Sequence, residues 1–378
     1  MKWSWKIGKL AGIDLRIHAT FLLLLGWVGA SHWLRGKSLD AMLAGVGFIV
    51  ALFGCVLLHE LGHALAARRY GIPTRDITLL PIGGVARLER MPEKPGQELW
   101  VALAGPAVNV VIAAVLFAWL TLTHGWAPIG QLSVAAGPFL ERLWLANLSL
   151  VLFNLIPAFP MDGGRVLRAL LASRMEYVKA TQIAAGVGQA LAFGFGFIGL
   201  FANPMLLFIA LFVWIGASQE ASATQMKSAL SGTPIRAAML TDFRELEAAD
   251  TLADAVRLTL QGSQQDFPVV EQRKVIGILT RTELLVALAE HGKDHPVAAV
   301  MRRDFVVTDY TEMLETAFQR LQECECHTMP VVHDGRLVGL LTMDNLGEYF
   351  LIQAAMKKSD ARPGIANSLG RRGAAETL

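Results

Sequence analysis

The sequence predicts a multi-pass α-helical membrane domain of about six transmembrane helices, followed by a soluble α/β pair of like modules. Three observations carry that prediction. The 378 residues are 53% hydrophobic and only 17% charged, against about 25% charged in an ordinary soluble domain, and the mean hydropathy is +0.44. The shortage of charge is uneven: residues 1–220 hold 17 Lys/Arg and 11 Asp/Glu, whereas residues 221–378 hold 17 and 21. Finally, the soluble part repeats itself at an offset of 62 residues. The net charge of +2 supplies no basic stripe, which excludes nucleic acid as a partner. Three cysteines are too few for a disulfide framework, and Cys324-x-Cys326 is not a zinc-type pair, so all three read as reduced thiols.

A helix needs about 20 apolar residues to cross the hydrocarbon. Six segments meet that need: 18–34, 41–67, 99–122, 143–161, 183–201 and 203–218. The start of the chain is basic, but no small-residue cleavage site follows, so residues 18–34 are kept as a span. The last two are short and joined by Asn203-Pro204, which predicts a tight hairpin. With six spans, Lys2, Lys6, Lys9, Arg16, Arg68, Arg69, Arg75, Arg87, Arg90, Lys94, Arg165, Arg168, Arg174 and Lys179 share one side. Only Arg35, Lys37 and Arg142 fall on the other. The rich side is cytoplasmic, which places the N-terminus and the soluble modules in the cytoplasm and the chain in the plasma or inner membrane.

The chemistry lies inside the second span. His59-Glu60-Leu61-Gly62-His63 is a His-Glu-x-x-His pattern on a helix-forming apolar segment, and residues four apart share a helix face, so both imidazoles reach one zinc ion. Two histidines and an acid in hydrocarbon are costly unless they bind something or face a polar cavity. A catalytic zinc takes three protein ligands and keeps one position open. Among the other spans the strong candidate is Asp162, after Pro157 and Pro160 and before Gly163-Gly164, where a broken helix lines a cavity. The competing role for Asp162 is to cap a following cytoplasmic helix. Glu98 and Glu141 read as interfacial charges at span ends, and Cys55 as a packing residue one turn before His59.

His59-Glu-Leu-Gly-His63, Gly83-Gly84-Val-Ala86, Gly105-Pro-Ala-Val-Asn109 and Asn154 through Arg165 occur in that order. Together they resemble the site-2 protease family of intramembrane zinc metalloproteases over nearly all of residues 10–220. The resemblance implies one Zn2+ per chain on His59, His63 and Asp162, with Glu60 as general base. It implies hydrolysis of a peptide bond within or near the transmembrane segment of a membrane-protein substrate, near the cytoplasmic face. Asn154 and Asn109 are candidate donors to substrate or oxyanion, or else interhelical hydrogen bonds. Gly83 and Gly84 belong to a membrane-dipping hairpin whose edge holds the unwound substrate by strand addition, or to a surface turn.

In the soluble part, Phe267-Pro-Val-Val through Thr280 aligns without gaps with Met329-Pro-Val-Val through Thr342. Each copy reads as strand, turn, strand and helix, preceded by an amphipathic helix. With Gly277 and Gly339 at matching places, the pair resembles tandem cystathionine-β-synthase-type (CBS) domains, repeat 1 at 234–290 and repeat 2 at 296–350, with a disordered tail at 357–378. That family binds the ribose of an adenine nucleotide with a Ser/Thr followed three residues later by Asp; here Glu283 and Asn345 occupy those places. The resemblance therefore implies either a nucleotide sensor using Thr280, Thr342 and Asp344, or a module that forms a homodimer. The competing function is a CBS-regulated transporter or channel with a structural zinc, which predicts a closed four-ligand site and repeated membrane halves; no such repeat is visible.

Overall fold

Backbone groups in hydrocarbon must find their partners within the segment, so apolar stretches of this kind fold as helices. The computed structural model describes residues 3–36, 38–123, 137–324 and 327–360. The chain divides into two units, Met1–Thr224 and Gln225–Leu378.

The first unit opens with strands the sequence reading did not expect. β1 (Ser4–Leu10) and β2 (Ile13–His18) form an antiparallel hairpin, turning at Ala11 and Gly12 with φ of 52° and 87°. Two residues of positive φ match the twist of a two-residue hairpin. After α1 (Ala19–Gly36) and α2 (Leu39–Arg68) come β3 (Thr74–Leu80) and β4 (Gly83–Leu88). β3 pairs parallel with β2 and antiparallel with β4, giving a four-stranded sheet in the order β1-β2-β3-β4. The remaining helices are α3 (Pro95–Thr123), α4 (Phe139–Asn154), α5 (Asp162–Ala172), α6 (Tyr177–Phe201) and α7 (Met205–Leu230).

Among the described residues four helices, α2, α3, α6 and α7, are long and apolar enough to cross a membrane, and α1 is a shorter apolar helix. The expected fourth span at 143–161 is instead the 16-residue α4, ending at Asn154. Pro157 and Pro160 lack the N–H that a continuing helix requires, and the chain restarts as α5. The expected short hairpin at 183–201 and 203–218 consists of helices of 25 and 26 residues; hydropathy marked only their apolar middles. Leu23 and Trp27 on α1, Val115 and Trp119 on α3, and Phe193 and Phe197 on α6 are exposed, as lipid-facing side chains are. Inward faces are small: Ala64, Ala67, Ala102, Ala184 and Ala185 are buried. α3 packs against α2, α4 and α5, and the site below forms around it.

The second unit contains two three-stranded sheets of the same topology. β5 (Leu246–Glu247), β6 (Phe267–Glu271) and β7 (Lys274–Leu279) form one, with α8 (Leu252–Gln261), α9 (Arg281–His291) and α10 (Val297–Val300) in sequence around it. β8 (Thr308–Asp309), β9 (Thr328–His333) and β10 (Arg336–Thr342) form the other, with α11 (Leu314–Glu323) and α12 (Met343–Asp360). In each, the short strand is parallel to the central one and the hairpin partner antiparallel. The repeats exchange segments. Leu230, Ile235 and Ala238 pack in the core of the second sheet, whereas Val297 and Met301 pack in that of the first. Main-chain pairs Leu240–Leu340 and Ile278–Arg302 and the Thr328 Oγ1 donation to Asp266 Oδ2 at 2.8 Å join the two. Helix α12 continues to Asp360, past the expected start of the tail at 357; residues 361–378 lie outside the described residues. Cys55 is a free thiol, but Cys324 is disulfide-bonded, against the expectation of three reduced thiols.

Candidate metal centre and active site

Helix α2 carries His59 and His63 four residues apart, and both are buried. The break after α4 returns the chain so that α5 begins at Asp162, with Met161 in the capping position. Asp162 is therefore a buried first-turn residue. Its Oδ2 lies 3.1 Å from His59 Nε2 and 3.0 Å from His63 Nε2, and the two nitrogens are 3.1 Å apart. Among the described residues, this is the one group of three such side chains able to hold a metal ion.

The hydrogen-bond partners of the rings decide what these atoms are. His63 Nδ1 faces the Val101 carbonyl at 2.7 Å, and a carbonyl oxygen can only accept, so Nδ1 carries the proton. His59 Nδ1 faces Asn109 Oδ1 at 2.5 Å and is likewise the donor. Each neutral imidazole then presents a bare lone pair at Nε2. Two lone pairs and a carboxylate oxygen converge within a triangle about 3 Å on a side, which repels itself unless a cation joins it. Ligand atoms of a tetrahedral zinc with bonds of about 2.0–2.1 Å stand about 3.3 Å apart, so the donor set fits zinc in both chemistry and spacing. Three protein ligands leave one position open.

Backbone close to the cluster keeps it uncrowded. A Cβ on Gly105 would lie 2.2 Å from His63 Nε2 and 2.7 Å from His59 Nε2, so only glycine lets α3 pass against both ligands. Glu60, the next residue after His59, accepts from the Ala86 N–H of β4 through Oε2 at 3.3 Å. A Cβ on Gly84 would lie 2.6 Å from Glu60 Cγ. Strand β4 has only β3 beside it in the described sheet, and an N–H along it points at the candidate base. Gly83 begins β4 with φ of 138°, a conformation L side chains avoid. Asp76 on β3 stiffens this region: it accepts from Arg87 Nε at 2.9 Å.

The other predicted residues are placed as follows. Asn109 is buried and touches His59, and Asn154 Nδ2 donates to the Leu150 carbonyl of its own helix at 3.0 Å. Thr280 Oγ1 accepts from Glu283 N as the cap of α9, and Thr342 Oγ1 accepts from Asn345 N at 3.1 Å. With Asp344 they line a cleft of ≈ 1430 Å³ in the second unit. Glu283 also holds Arg302, and Asn345 donates to the Ala238 carbonyl, so both departures from the family pattern are engaged within the protein.

Sequence reasoning missed four things. Glu98 is no interfacial charge: it is 0% exposed, and Arg168, 1% exposed, donates to it through Nε at 2.7 Å. Arg168 also pairs with Glu220 of α7 at 2.5 Å and packs over the rings of Phe159 and Tyr177. Glu141 too is buried. Asn147 of α4, whose Oδ1 accepts from Asn109 Nδ2 at 2.8 Å, was not singled out, although an amide in mid-span is a signal of this kind. The period-2 alternation in Ile13-Asp-Leu-Arg-Ile17 was the available sign of β2.

Both units of the chain are similar to known proteins. The profile of Peptidase family M50 matches residues 47–135 and 130–195, and that of the CBS domain matches 235–290 and 297–351. A zinc metalloprotease of Methanocaldococcus jannaschii is 31% identical over 347 residues, covering 92% of this chain and 96% of that protein. Stage IV sporulation protein FB of Bacillus subtilis is 28% identical over 214 residues, covering 56% and 67%. Among solved structures, the site-2 protease from Methanocaldococcus jannaschii is 39% identical with a TM-score of 0.43, covering 58% of this chain and 95% of that one.

Proposed function

Because the chain belongs to Peptidase family M50, the site-2 type of membrane zinc metalloprotease, and carries a CBS pair, we propose that it hydrolyses a peptide bond within or near a substrate's transmembrane segment, near the cytoplasmic face. The observation that carries the reading is the convergence of His59 Nε2, His63 Nε2 and Asp162 Oδ2 at 3.0–3.1 Å beside Glu60. A purely structural zinc in a transporter would call for a fourth protein ligand, and family membership makes the chain a protease.

In the proposed mechanism His59, His63 and Asp162 hold zinc. Bound there, zinc would supply the Lewis acidity that peptide hydrolysis near neutral pH calls for. Glu60 takes the proton of the attacking water and passes it to the leaving amide nitrogen, the two-way use of one carboxylate that peptide hydrolysis needs. Its bond to the Ala86 N–H holds it against β4. A transmembrane helix has its amides already paired, so the substrate must unwind, and the free edge of β4 offers it a strand to pair with. That edge delivers the extended peptide alongside the base. Asn154 is the candidate donor to substrate at the end of α4. The excess of lysines and arginines expected on one side of the first unit supports a cytoplasmic reading of that side, in which cleavage would release a cytoplasmic fragment.

The cleft lined by Thr280, Thr342 and Asp344 is the place for an adenine nucleotide, and the pair regulates cleavage through that ligand or through homodimerisation. The test is co-reconstitution of the full chain in liposomes with single-span substrates bearing a cytoplasmic reporter. The expected result is chelator-sensitive cleavage mapping to the span or its cytoplasmic border. Cleavage confined to soluble peptides would refute the proposed substrate class.

A further inference from the structure

His59 offers Nε2 to a metal only while its proton stays on Nδ1, and a neighbouring group must hold it there. Two buried amides form a chain that does so. Asn147 on α4 is 0% exposed, and its Nδ2 donates to the Leu143 carbonyl at 2.8 Å. A backbone carbonyl accepts and never donates, so the Asn147 amide cannot be turned over without setting oxygen against oxygen. Its other N–H points at Cys55 Sγ, 3.4 Å away. Asn147 Oδ1 is thus the acceptor for Asn109 Nδ2, at 2.8 Å. Asn109, also 0% exposed, is left with Oδ1 directed at His59 Nδ1 at 2.5 Å, a contact that only an N–H on the ring satisfies.

We propose that Asn147 and Asn109 form a polarity relay in which the Leu143 carbonyl, acting through two side-chain amides, dictates the tautomer of His59 and so supplies the lone pair the metal takes. Both are positioning residues, and neither is a metal ligand. The inference rests on His59, His63 and Asp162 being the metal site. It assigns Asn109 a task other than binding substrate and gives Asn147, two hydrogen bonds from the ring, a share in metal affinity. Without Asn147, nothing stops the Asn109 amide from rotating and presenting Nδ2–H to His59, which would drive the ring proton to Nε2 and cap the ligand atom.

The experiment measures Zn2+ affinity of the purified full chain in detergent by competition with a fluorescent zinc chelator, so that the readout is independent of proteolysis. Asn147→Leu is expected to weaken Zn2+ binding about 10- to 100-fold, as loss of an outer partner of a metal-bound histidine does. Adding Asn109→Asp to that variant is expected to restore the affinity, because a carboxylate accepts from His59 in either orientation. Affinity unchanged in Asn147→Leu, or a double variant as weak as the single one, overturns the relay; the second result would mean that Asn147 only packs α4 against α3. If wild type and His59→Ala bind Zn2+ equally, the metal site itself is misplaced, a failure distinct from that of the relay. Should Asn147→Leu not fold, Asn147→Ala, which removes the same groups without adding bulk, replaces it in both arms.

Discussion

Replacing Gly84 by alanine separates the base from the metal. The added Cβ would sit 2.6 Å from Glu60 Cγ, and its next neighbour is Val56, not a ligand. Carbon atoms in contact settle at about 3.5–4.0 Å, so Glu60 or β4 must retreat by about 1 Å. A misplacement of that size at a reacting group costs about 100-fold in rate, equivalent to about 2.7 kcal/mol of barrier. The zinc ligands are on other contacts, so metal content and affinity stay at wild-type values. The assay follows initial cleavage rates in proteoliposomes with zinc content determined on the same preparation. A variant within threefold of wild-type rate would refute the placement of Glu60 against β4 as a working part of the site. Equal loss of zinc and activity would refute it too, because the effect would then run through the ligands.

Three further outcomes rest on the same packing. Gly105→Ala places a methyl group within 2.7 Å of both Nε2 atoms and should abolish stoichiometric zinc binding with little change in helix content by circular dichroism; retained zinc would contradict the site. Arg168→Met strands the buried Glu98 carboxylate, a loss of about 3–5 kcal/mol visible as a lower melting temperature, and Glu98→Gln in the same chain should recover part of it. ATP or AMP at millimolar concentration should raise the melting temperature of the full chain, with a shift equivalent to about 2.7 kcal/mol if the ligand is at 100 times its Kd; no shift would leave the CBS cleft without a nucleotide role.

The membrane unit was legible where chemistry is costly in lipid. His59, Glu60, His63 and Asp162 stand out because hydrocarbon tolerates such groups only for a purpose, and the prolines before Asp162 announce the break that brings it back. The soluble repeat was legible because two copies of one strand pattern align without a gap. What stayed hidden depends on contacts between distant segments. Glu98 looks like a span-end charge until Arg168, 70 residues later, is seen to enclose it. The exchange of Ile235 and Val297 between the two CBS cores leaves no mark in a repeat that is read along the chain. β1 and β2 were hidden by their basic residues, which were read only as charge on the cytoplasmic side although Ile13, Leu15 and Ile17 alternate as a strand does. Helix lengths missed at their polar ends, because hydropathy reports the lipid-facing middle rather than the hydrogen-bonded whole.

The central claim is that Glu60 performs the chemistry at a metal held by other residues. Glu60→Gln in the full chain tests it most directly, with zinc content and cleavage of a single-span substrate measured side by side. The account predicts zinc at the wild-type level, intact substrate and no cleavage product, since the amide cannot take a proton from water. Cleavage at a rate near wild type, or a loss of zinc that by itself explains the loss of activity, would contradict it.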